Sequence, residues 1–182
     1  LETAQRSYSD AMANLQRAGH VSDVIAGAIS LAGILIAQGR LREALNAYER
    51  GLQLATEGGA PVLRGAGDIH VGMSELFLER DELDRAMQHL LMSKELGEHA
   101  GRPQNPYRWC VAMARIREAE GDPAAALDLL LDAERLYVPD HFPKVRPLAA
   151  LTARVWGAQG RVGEAQGGAH ERGLAAEDEL SY

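Results

Sequence analysis

The residue types that carry chemistry are present, but their spacing fails the reactions they would serve. Gly65-Ala66-Gly67 is followed by His70 where a dinucleotide-binding fingerprint needs its third glycine, and no strand pattern precedes it. A phosphate-cradling loop needs Gly-Lys-Ser/Thr and an acyl-transfer elbow needs Gly-x-Ser-x-Gly; neither occurs. Glu95 and His99 stand one helical turn apart, yet a dinuclear carboxylate site needs several matched ligand pairs from facing helices. The six histidines are scattered over different segments with no metal-ligand spacing between any two. Cys110 sits among apolar neighbours with no predicted cation nearby, which describes a packed thiol and not a nucleophile. The expectation is a non-enzymatic segment that carries no cofactor or metal.

Composition narrows the setting. With 182 residues, 46% apolar and 25% charged, the chain is able to bury a core. A net charge of −7 and the lack of any Lys/Arg block argue against direct nucleic-acid binding, which needs a dense basic surface. No run of about 20 apolar residues or secretory leader is found, and one cysteine cannot form an internal disulfide. These features predict a cytoplasmic chain without a membrane segment.

The elements that must position any site follow from an internal repeat. Leu1-x-x-Ala4-x-x-x-Tyr8 returns as Leu41-x-x-Ala44-x-x-x-Tyr48, Leu83-x-x-Ala86-x-x-x-Leu90, Pro123-x-x-Ala126-x-x-x-Leu130 and Val162-x-x-Ala165-x-x-x-Ala169. The alanines step by 40, 42, 40 and 39 residues, the mark of a stacked repeat in which each unit borrows its neighbour's apolar face. The fold class expected is all-α: a right-handed superhelix of antiparallel helix pairs, a tetratricopeptide-like solenoid of about nine helices. A single repeat domain over 1–182 is expected, with units near 1–18 (partial), 21–58, 62–101, 105–138 and 143–173. The chain opens on the second half of a unit and stops as another helix begins, so it reads as a piece of a longer polypeptide.

The spacing predicts helices near 1–18, 21–38, 41–57, 62–80, 83–99, 106–120, 123–137, 144–159 and 162–172. Gly39, Gly121 and Gly160 precede the pattern alanine by five residues, where a left-handed helix terminus favours glycine; Asp81 takes that place in the remaining unit. Asp122 is placed to cap the helix that Pro123 starts, and Asn105-Pro106 repeats the arrangement. In 41–57, Leu41, Ala44, Leu45, Tyr48, Leu52 and Ala55 form one apolar stripe. Loops are expected at Gly58–Pro61, Arg102–Pro106 and Pro139–Pro143, and Gly167-Gly168 weakens the last helix.

If the first helix of each pair lines a concave wall, that wall carries Ala26, Ile29, Gly33 and Ile36, then Asp68, Val71, Glu75 and Leu78. It continues through Arg108, Val111, Arg115 and Glu118 to Ala150 and Arg154, grading from apolar through acidic to basic. Such a gradient suits a ligand or peptide with apolar and charged parts. Arg108, Arg115 and Arg154 either fork onto an anion or hydroxyl-rich ligand, or pair with Asp68, Glu75 and Glu118 to tie adjacent units together. Trp156 is placed to pack on its partner helix; Trp109, beside Arg108 and Tyr107, is the better surface candidate. The candidate binding residues are Asp68, Glu75, Arg108, Trp109, Arg115 and Arg154.

The paired units with Gly-x-Leu-x-x-Ala turns resemble the tetratricopeptide-like superhelix of large ATP-dependent bacterial activators of the maltose-regulon type, which end in a LuxR-type helix-turn-helix. The more specific stretch runs from Arg146-Pro147-Leu148 through Arg154-Val155-Trp156-Gly157-Ala158-Gln159-Gly160-Arg161, with Glu171-Arg172-Gly173-Leu174 and Asp178–Tyr182 beyond. Similar chains carry Trp-Ala where this one has Gly168-Ala169. The resemblance implies a sensor lying between a nucleotide-binding switch module and a DNA-binding domain. In it, a small-molecule inducer or a protein or peptide partner docks in the groove and releases the activator for self-association. Neither flanking motif is present in these residues. A generic scaffold holding a peptide or protein in the same groove is the alternative reading.

Overall fold

The computed structural model describes residues 2–57, 62–137 and 148–171, leaving aside the side chains of residues 2, 4, 5 and 168–171. The described residues form nine α-helices and a single 3-10 turn, with no strand among them. The chain divides into two compact units, Leu1–Asn105 and Pro106–Tyr182.

The first unit holds α1 (Glu2–Arg17), α2 (Val21–Ala37), α3 (Leu41–Glu57), α4 (Ala66–Glu79), α5 (Leu83–Glu95) and the 3-10 turn Glu98–Ala100. Here α1 packs on α2, α2 on α3, α3 on α4 and α4 on α5. The pattern residues sit where the repeat needs them, since Ala44, Tyr48, Ala86 and Leu90 are all buried. Small residues let the helices close up. A Cβ on Gly51 of α3 would meet Ile69 Cδ1 of α4 at 2.9 Å and the Ala28 Cβ of α2 at 3.0 Å, so three helices converge on that glycine.

The second unit holds α6 (Asn105–Ala119, whose first residue closes the first unit), α7 (Pro123–Leu136), α8 (Leu148–Ala158) and α9 (Val162–Glu171). Its interior joins Ala114 of α6, Ala126 and Leu130 of α7 and Val155 of α8, with Leu127, Leu129, Leu148 and Leu151 packed around them. The cap expected of Asp122 is present, because its Oδ1 accepts the Ala125 N–H at 3.0 Å and Pro123 occupies the first turn. At the other expected cap, α6 begins on Asn105 itself, and that side chain is buried.

The hairpin turns share one hydrogen bond. The N–H three residues past each helix reaches a carbonyl five residues back: Arg40 to Leu35, Glu82 to Phe77, Asp122 to Arg117 and Arg161 to Trp156, at 2.8–2.9 Å. This is the Schellman closure, and it requires a left-handed residue between. Gly39, Gly121 and Gly160 supply it, and Asp81 does so at φ 59° as the sole non-glycine residue with positive φ among those described. A fifth such turn, with Gly19 at φ 78° and His20 bonded to Leu15 O, follows α1.

Two helix ends depart from expectation. α4 starts at Ala66 and not at 62, because Gly65 has φ 104° and its N–H is drawn to Ala100 O at 2.8 Å. α5 stops at Glu95 and not at 99, because Gly97 turns the chain at φ 77° into the 3-10 segment. The expected loops at 58–61 and 139–143 and the start of a helix at 144 lie outside the described residues, whereas α9 runs as helix through Gly167-Gly168.

Candidate functional site

The 97–105 segment folds back over the start of α4 and removes it from solvent. Gly65 N–H bonds Ala100 O, and the Arg64 guanidinium donates to Gly101 O at 3.1 Å. Ser93 Oγ donates to Gly67 O at 3.0 Å and Asn105 Nδ2 to Ser93 Oγ at 3.4 Å. Asp68, fully buried, accepts the Arg102 backbone N–H at 2.8 Å, with Arg102 Nε 3.6 Å from its other oxygen. A Cβ on Gly67 would meet Asn105 Nδ2 at 2.9 Å, so the clasp needs glycine there.

This clasp corrects the expected wall. Asp68 and Val71 are core residues with 0% exposure, and Ile29 is buried as well, so none of the three offers an accessible surface to a ligand. For Asp68 the reason is the covering loop, whose Arg102 reaches the carboxylate and turns the start of α4 into interior. Glu75 is half-buried farther along α4. In the second unit Arg108, Trp109 and Arg115 are half-buried on α6, and exposed Arg154 on α8 forms an ion pair with Glu118 of α6 at 2.5 Å. The tie between adjacent helix pairs considered for Arg154 is therefore present. Trp156 is half-buried with the Arg161 guanidinium 5.9 Å from its ring, and Cys110 is buried with its thiol pushed up by burial and by Asp132.

Two histidines that look unrelated in sequence meet in the first unit. His70 of α4 and His89 of α5 place their Nδ1 atoms 2.9 Å apart, so one ring donates its proton to the other's lone pair. Phe77 stacks on His89 at 5.3 Å, and the Arg85 guanidinium lies 3.9 Å over the Phe77 ring. Burial and the neighbouring His89 lower His70 to about 4, while burial and Arg85 lower His89. The pair is consequently neutral at pH 7 and contributes a hydrogen bond, not a charge. A signal for it exists in the sequence: positions 70 and 89 lie almost symmetrically about the turn at Arg80-Asp81, so an antiparallel hairpin brings them level.

His70 also lines an open cleft of about 530 Å³. From α3 the cleft takes Glu49, Leu52, Gln53 and Thr56, one face over two turns; from the α5 end it takes Met92, Glu95 and Leu96. It lies on the second helices of adjacent pairs, a place the sequence reading did not consider. Among the described residues no group of three or more His, Cys, Asp or Glu is arranged to hold a metal ion.

The repeat geometry agrees with a match to a known family: residues 1–179 match the MalT-like TPR region. The chain belongs to that family. This MalT-like TPR region is a helical-repeat scaffold, built of antiparallel pairs closed by the common turn bond. Comparison with curated proteins gives no match. No helix among the described residues is long and apolar enough to cross a membrane.

Proposed function

We propose that this MalT-like TPR region is the sensing and interaction segment of a cytoplasmic, ATP-dependent bacterial transcription activator, with no catalysis or DNA binding of its own. The observation that carries the reading is the family match over residues 1–179. The negative charge of −7 agrees with leaving DNA to another module. A bound inducer or partner favours one arrangement of the helix pairs, and that preference reaches the flanking nucleotide-binding and DNA-binding modules as a coupling of about 1–3 kcal/mol. The side chains assigned to recognition are Arg108, Trp109, Arg115 and Arg154 in the second unit and, separately, Glu75 in the first; Asp68 is withdrawn by its burial.

Thermal-shift measurements against sugars, nucleotides and short peptides test the reading. A specific small molecule at about a hundredfold excess over its Kd adds about 2.7 kcal/mol to stability. Arg115→Ala should remove that gain and leave the unliganded melting point nearly unchanged. Stabilisation by peptides alone identifies a general interaction scaffold instead.

A further inference from the structure

The cleft on the second helices has a chemistry of its own. Its charged lining residues are Glu49 and Glu95, both exposed, and neither is in an ion pair among the described residues. Between them lie Leu52, Met92 and Leu96, of which Met92 is exposed. The His70 imidazole beneath is neutral at pH 7 and does not repel a cation. Glu49 to Thr56 on α3 gives the cleft a length of about 10 Å, two helical turns.

We propose that this cleft is a docking groove for a basic amphipathic helix of a partner protein, with leucine-like side chains against Leu52, Met92 and Leu96 and lysine or arginine against Glu49 and Glu95. Charge complementarity selects a basic partner: both lining charges are carboxylates, and no Lys or Arg lines the cleft. Shape selects a helix. A small-molecule site encloses about 70–90% of its ligand, whereas exposed Glu49, Gln53, Thr56, Met92 and Glu95 leave this cleft open along its rim. A helix laid in the groove buries its apolar face and covers that opening with its own backbone, and the flexible Met92 thioether adapts to its contour. The inference is independent of inducer sensing, because the cleft is lined by α3, the α5 end and His70, none of which is among the side chains assigned to recognition.

The test is fluorescence anisotropy on the 182-residue chain with a labelled amphipathic peptide of about 18 residues, leucines on one face flanked by lysines. A matched peptide carries glutamate in place of each lysine. The basic peptide should bind and the acidic one should not. Glu49→Lys with Glu95→Lys should weaken the basic peptide at least about tenfold and admit the acidic one, with the melting point retained because both positions are exposed. Glu49→Gln with Glu95→Gln should fall between, which keeps the test valid if the double reversal perturbs folding. Failure of the basic peptide to bind, or undiminished binding to the reversed variant, overturns the proposal. Saturable spermidine binding that the same reversal abolishes, without peptide binding, assigns the cleft to a small cation and overturns it too. Loss of inducer stabilisation with groove binding intact would count against the sensing role alone.

Discussion

In Leu1–Asn105, helix α4 carries Asp68, His70 and Ser74 into the interior, where Ser93 and Asn105 join them; in Pro106–Tyr182 the described interior is apolar, built of alanines with Cys110, Met113, Ile116, Leu130 and Val155, and Thr152 is its buried polar side chain. Thr152 satisfies itself within its own helix, donating to Leu148 O at 3.0 Å. The first unit instead spends polar groups on contacts between distant segments, since the Asp68 to Arg102 bond spans 34 residues and the Ser93 to Gly67 bond 26. One repeat pattern is thus closed in two ways. A polar closure fixes a single arrangement but suffers badly when one partner is lost, while an apolar closure degrades in proportion to the volume removed.

Truncating the polar clasp gives the largest expected effect. Asp68→Ala leaves the Arg102 N–H and guanidinium facing a void and should cost about 3 kcal/mol in urea denaturation, with Asp68→Asn milder because it keeps an acceptor. A loss below that of an ordinary surface substitution breaks the comparison. Next comes acidity. His70 is held at about 4 against an ordinary value of 6.5, so the unfolded chain takes up a proton first. The stability that neutral His70 contributes is complete above pH 6.5 and is lost progressively as pH falls to about 4, roughly 3 kcal/mol in all. Lowered His89 acts with the same sign. His70→Gln should flatten this slope in denaturation midpoints between pH 7 and 5; an unaltered slope places its origin elsewhere.

In the second unit the expected losses are smaller and graded. Val155→Ala removes two methyl groups from the cluster with Ala114, Ala126 and Leu130 and should cost about 2 kcal/mol. Calorimetry showing a loss as large as that of Asp68→Ala would erase the distinction between the closures. Smallest is Arg154→Ala: the Arg154–Glu118 pair has a 55% exposed arginine, and its removal should change stability by less than about 1 kcal/mol, diminishing further in high salt.

Most helix boundaries were legible because they depend on neighbours along the chain. Asp81 at φ 59° stands where the repeat placed a glycine, and Asp122 caps α7, both local consequences of side-chain chemistry. The wall at Asp68 was misread, since counting along α4 gives which residues share a face but not that Arg102 of the 97–105 segment folds over this one. The His70–His89 contact and the Glu49–Glu95 cleft were missed for a related reason: each joins different helices, and spacing within one segment does not register them.

By itself the sequence determined the repeat, the antiparallel pairing and the turns, because a period of about 40 residues, an apolar stripe and a left-handed terminus act over short range. Tertiary structure alone decided that an aspartate enters the core, that two imidazoles share one proton, and that an acidic, partly apolar groove stays open. Each of those outcomes depends on what a remote segment covers or leaves bare, and burial, which sets the cost of every polar group, is fixed only when the helices have packed.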